Sequence, residues 1–118
     1  FGLNCYGCCE PLDKRMNYIL KIPRLRRVAV SPWSDQKVMM DIIGKNYIFS
    51  RRPNPSLICS GFNEDKIRED ISSTLKIAGD AILEIVMKDI HTVENDPNRI
   101  TNWVKIALEE VEKNPQKI

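Results

Sequence analysis

Strand-like and helix-like segments alternate along this 118-residue chain, strand first, through four repeats. Strict alternation of this kind predicts an α/β fold with parallel strands joined by right-handed crossovers. A second observation agrees with it: the polar and titratable side chains gather just after the strand-like segments, where parallel architectures bind their ligands. A third is the unit count. A closed (β/α)8 barrel takes ~250 residues, so four units in 118 residues amount to half a barrel. An open four-stranded α/β sheet is the structural alternative.

The opening strand is read at residues 3–6. A helix follows near Pro11, presents Leu12, Met16, Ile19 and Leu20, and is closed by Pro23. Residues 27–31 form the second strand, Pro32-Trp33 the turn, and Ser34 the cap of a helix through Val38, Met39, Ile42 and Ile43 that stops at Gly44. The third strand, residues 46–50, runs into Arg51-Arg52-Pro53-Asn54-Pro55, where the prolines forbid regular pairing and predict a long polar loop. Asn63 then caps a helix with Glu64 and Asp65 in its first turn and Ile67, Ile71, Leu75 and Ala78 as its buried stripe, stopped by Gly79. Residues 81–87 are a nearly continuous apolar run, as in a strand covered on both faces. The last helix has Asp96 as its cap and Pro97 as its first residue. Its apolar face is Ile100, Trp103, Val104, Ala107, Leu108 and Val111, and Asn114-Pro115 ends it.

Composition narrows the class. With 42% hydrophobic and 29% charged residues the chain reads as one ordinary globular domain, residues 1–118. Its net charge of +2 is too near balance for an electrostatic nucleic-acid binder. No apolar run approaches the ~20 residues of a membrane span. The chain starts at Phe1 in what reads as a strand, which leads us to expect a fragment of a longer protein. Three of the 4 cysteines crowd the start, Cys5, Cys8 and Cys9, with Cys59 alone. That spacing suits reduced thiols in the cytoplasm better than a disulfide scaffold.

The positions after the strands supply the candidate site. Cys8 and Cys9 follow the first, and soft thiolates are natural zinc ligands, although buried or incidental thiols are the bland alternative. Trp33 follows the second. Arg51, Arg52 and Asn54 follow the third, where paired guanidinium groups in a proline-stiffened loop suit a carboxylate or phosphate. Asp89 and His91, the sole histidine, follow the fourth, an imidazole beside a carboxylate being the arrangement for acid–base work. A solvated loop histidine is the plainer reading.

Taken in order, Tyr6-Gly7-Cys8-Cys9-Glu10-Pro11, Ile22-Pro23 through Ser31-Pro32-Trp33-Ser34-Asp35, Ser50-Arg51-Arg52-Pro53-Asn54-Pro55 and Met87-Lys88-Asp89-Ile90-His91 resemble the C-terminal half of uroporphyrinogen decarboxylase-like proteins. The resemblance implies a (β/α)8 barrel. The superfamily includes the haem-pathway decarboxylase and zinc-dependent methyltransferases that act with corrinoid proteins or coenzyme M. In the methyltransferases a His-x-Cys motif and a later Cys bind zinc. Here Cys8 stands at the Cys of the first motif, Tyr6 replaces its His, and Asp89 or His91 lies where the last ligand falls. The cysteine-rich first loop favours the methyltransferase side, with a corrinoid protein or a small methylated or carboxylated substrate as partner.

Two other classes stay open. A non-catalytic assembly module would use the open strand edges and apolar inner face of a half-barrel to bind a second copy or a missing N-terminal half; a homodimer is expected. A thiol oxidoreductase would use Cys5 and Cys8, a C-x-x-C between strand and helix.

Overall fold

The computed structural model describes residues 2–115. It is α/β: β1 Asn4–Tyr6, α1 Met16–Ile19, β2 Leu25–Val30, α2 Gln36–Ile43, β3 Ile48–Arg51, α3 Ser56–Cys59, α4 Glu64–Ala78, β4 Leu83–Ile85 and α5 Asn98–Lys113. The four strands form one sheet in the order β1-β2-β3-β4, every neighbouring pair parallel. A sheet that adds each strand on the same side through crossovers of one hand winds in one direction and gathers its helices on one face. This is the winding of half a (β/α)8 barrel, and it lacks the reversal of strand order at which doubly wound sheets place their ligands.

Strand alternation shows which face the helices cover. Val28, Val30 and Phe49 are buried in one cluster with Leu12, Met16 and Ile19 from the first crossover and Met39 and Ile43 from α2. Leu83 and Ile85 pack against a second cluster built by Ile67, Ile71 and Leu75 of α4 with Trp103 and Ile106 of α5. The opposite phase carries Arg27, Ala29, Ile48, Ser50 and Glu84. The expected apolar inner face is therefore mixed, with Ala29 and Ile48 beside a charged pair and a hydroxyl. Each fully buried aliphatic or aromatic side chain of the two clusters contributes about 1.5–3 kcal/mol.

The helix starts follow local chemistry. Asn63 caps α4 as expected, its side chain accepting from Lys66 N at 3.1 Å. On α2 the cap is Asp35 rather than Ser34, accepting from Lys37 N and Val38 N at 2.9 and 3.2 Å. Ser34 instead hydrogen-bonds Ser31 Oγ below the surface. Asp96 Oδ1 accepts from Asn98 N at 3.1 Å, two residues before the helical bounds, so the expected start of α5 is shifted by one residue: Pro97 takes the cap position and Asn98 is the first helical residue.

Four further expectations are corrected. The apolar run of residues 81–87 narrows to β4, Leu83–Ile85, and is not covered on both faces, since Ile82 and Val86 are exposed. The loop after the third strand contains a turn of helix, α3, started by Asn54 Oδ1 accepting from Ser56 N at 3.0 Å. β3 extends to Arg51, because Arg52 N donates to Val30 O and Val86 N to Arg51 O, both at 2.8–2.9 Å. The apolar stripe of α5 is only partly covered: Trp103 and Ile106 are buried, while Ile100, Val104, Leu108 and Val111 are 42–60% exposed. Buried Glu110, which shares Arg68 of α4 with Glu64 and Glu109, takes a place on the covered face.

Candidate functional site

Parallel strands end on one side of the sheet, so the segments after β1, β2, β3 and β4 share a rim. The first is set by Gly7, whose φ of +92° is a conformation L side chains rarely adopt, and whose place leaves no room for a Cβ: one would stand 2.7 Å from Leu12 Cδ1 and 3.2 Å from Ala29 Cβ. The turn this permits lifts Cys8 and Cys9 to the surface, their Sγ atoms 2.9 Å apart. The sulfur–sulfur hydrogen bond thus joins the adjacent thiols and does not close the C-x-x-C pair. The bond to Cys9, and then the charge of Cys9, push the Cys8 thiol above its ordinary value; Asp89 adds to this and Arg52 opposes it. That mutual influence places Cys8, Arg52 and Asp89, from the ends of three strands, in one electrostatic neighbourhood.

The two arginines after β3 have separate fates. Arg51, 5% exposed, turns toward the helices: Nη1 donates to Ser31 O at 2.9 Å and Nη2 reaches Asp70 Oδ1 at 3.4 Å. Burial pulls its pKa below the ordinary guanidinium value, with Asp70 opposing. Its two Nη groups join β2, β3 and α4, while its buried Nε, like that of Arg52, has no partner among the described residues. Arg52 is half-buried, and its shielded Nε has no hydrogen-bond partner among the described residues. Asn54 is occupied by its turn at α3. Of the proposed substrate ligands after β3, Arg52 is the one whose guanidinium remains available at the rim.

Trp33 lies 62% exposed after β2, its backbone N–H anchored on Ser31 Oγ at 3.2 Å. Asp89 and His91 are both exposed after β4. Sequence reasoning passed over the inner-face group of Arg27, Ser50 and Glu84. Ser50 Oγ donates to Glu84 Oε1, and Arg27 Nε lies 3.1 Å from the same oxygen. The approach of Arg27 is an ion pair off the N–H axis, so Nε lacks a linear hydrogen bond. The signal was available: Glu84 interrupts the apolar run of residues 81–87, and Arg27 opens a strand whose following residues are apolar.

Among the described residues no group of three or more His, Cys, Asp and Glu side chains is placed to hold a metal ion. Cys8 and Cys9 supply two of the four donors of a tetrahedral zinc centre, so the described donor set does not fit one. Among the described residues no helix is long and apolar enough to cross a membrane. In comparisons with protein-family models, curated proteins and solved structures, none matches the chain.

Proposed function

We propose that this chain is the C-terminal half of a uroporphyrinogen decarboxylase-like barrel whose parent enzyme moves a methyl group between a small methylated or carboxylated substrate and a corrinoid protein in the cytoplasm. The observation that carries the reading is the sequential parallel order of the sheet, which brings Cys8, Cys9, Arg52 and Asp89 to one rim. On this reading Arg52 takes the substrate's carboxylate, the exposed ring of Trp33 supplies a flat apolar wall, and Asp89 with His91 serves proton transfer from the fourth loop. Zinc enters only with donors from outside the described residues, and no step here runs through it. Half of the rim of a full barrel lies outside this chain, so the isolated chain is inactive.

The test is reconstitution. The chain is mixed with a separately expressed N-terminal half of such a barrel, a corrinoid protein reduced to cobalt(I) and a panel of small methylated substrates, and methyl-cobalt formation is followed by absorbance. The chain alone gives no signal; the combined halves give a signal that Arg52→Ala weakens. A signal insensitive to Arg52→Ala, or none from the combined halves, contradicts the reading.

A second reading, a non-catalytic assembly module, is favoured by the open sheet edges and the uncovered stripe of α5. A thioredoxin-type oxidoreductase has less support, because that fold wants an antiparallel hairpin and every strand pair here is parallel.

A further inference from the structure

Among the described residues the two outer strands, β1 and β4, each have one neighbour, so both edges of the sheet are open there and run in the same direction. Beside the β4 edge lies an apolar groove of about 350 Å³ walled by Leu83, Ile85, Trp103, Val104, Leu108 and Val111. Trp103 in that wall is 7% exposed, yet its indole N–H has no acceptor among the described residues. Buried donors normally find partners, so this groove calls for an occupant that is apolar and brings one acceptor.

The opposite flank of the molecule carries a group of that kind. Met16 and Ile19 of α1 point into the core, and Leu20 shares a hollow with Ile42 of α2. At ~100° per residue, Tyr18 stands on the flank of α1 opposite Leu20 and so away from α2, with Lys21 Nζ 5.7 Å from its ring centroid. It is 68% exposed, an aromatic ring with a hydroxyl at its tip.

We propose that two copies of this chain close into one eight-stranded parallel barrel about a two-fold axis, β1 of each pairing with β4 of the other and Tyr18 of each filling the groove beside Trp103 of the other. A two-fold axis along the barrel keeps all strands parallel and closes both seams by the same contact, leaving no open edge. About eight strands is the size whose interior side chains fill; three copies would leave a bore. The inner faces are compatible, since each copy contributes one Arg27 and one Glu84. In the seam the Tyr18 hydroxyl accepts from the Trp103 N–H. This inference shares the half-barrel fold with the proposed function but not its N-terminal half, whose place the second copy takes; a dimer without turnover leaves it standing.

Size-exclusion chromatography with light scattering on the full chain is expected to give twice the chain mass. Leu108→Glu changes an already exposed residue, so the monomer keeps its circular dichroism spectrum while the dimer dissociation constant rises at least tenfold; Tyr18→Ala raises it several-fold. In a Trp33→Phe background the Trp103 emission shifts to the red on dilution through that constant. A monomer at all concentrations, a trimer or larger species, or a dimer indifferent to Leu108→Glu overturns the proposal. So does a monomer that associates only with a separately supplied N-terminal half-barrel, which would be the groove's occupant instead.

Discussion

Replacing Arg51 by alanine separates the two adjacent guanidinium groups that the sequence presents as a pair. The Arg51 head is 5% exposed, donates to Ser31 O at 2.9 Å and meets Asp70 at 3.4 Å. A hydrogen bond from a charged donor is worth about 1.5–3 kcal/mol. The Asp70 pair, stretched and with the carboxylate side chain 25% exposed, adds at most about 1 kcal/mol. Arg51→Ala therefore destabilises the chain by about 2–4 kcal/mol, a large part of the stability of a domain this size. Arg52→Ala removes a half-buried side chain whose Nε bonds nothing, and costs no more than about 1 kcal/mol. Urea denaturation followed by circular dichroism measures both, with unchanged m-values showing that the same unfolding is compared. Equal losses for the two variants, or a loss below about 1 kcal/mol for Arg51→Ala, would refute the assignment of one arginine to the scaffold and the other to the rim.

Three further outcomes are expected. Gly7→Ala forces a Cβ against Leu12 and Ala29 at a φ of +92° and destabilises by about 1–3 kcal/mol, read in the same urea experiment. Arg68 holds Glu64, Glu109 and Glu110 at 2.6–3.0 Å and keeps Glu109 and Glu110 below the ordinary carboxylate range. With folded values depressed, their contribution is present above the unfolded value of about 4.3 and lost as pH falls below it; Arg68→Met flattens that acid limb in thermal melts between pH 2 and 6. Because Cys9 and Asp89 push the Cys8 thiol up, iodoacetamide labels Cys8 more slowly at neutral pH than a free cysteine does, and Cys9→Ser speeds it; mass spectrometry of the labelled peptide reads both.

Where local chemistry determines structure, the sequence was readable. Asn63 and Asp96 mark helix starts because their side-chain oxygens accept backbone N–H groups nearby, and the buried stripe of α4 follows its 3.6-residue spacing. Tertiary contacts were not readable in the same way. Nothing local distinguishes Arg51 from Arg52; only the pleat, which turns alternate residues to opposite faces, sends the first toward Asp70 and leaves the second at the rim. The stripe of α5 matched a helix but not its covered face, because Arg68 draws Glu110 inward and rotates Leu108 and Val111 toward solvent. The strand-end rule selected Cys8, Cys9, Trp33, Arg51, Arg52, Asn54, Asp89 and His91, and could not select Arg27, Ser50 and Glu84, which lie within strands on the inner face.

The account stands on a sheet wound in one direction, and nuclear Overhauser contacts between backbone protons of neighbouring strands test that most directly. Contacts from Tyr6 to Val28, from Val28 to Phe49 and from Ser50 to Glu84, each in parallel register, are predicted. Contacts placing β1 beside β3 within one copy, or any antiparallel pair, would contradict the half-barrel and the shared rim with it.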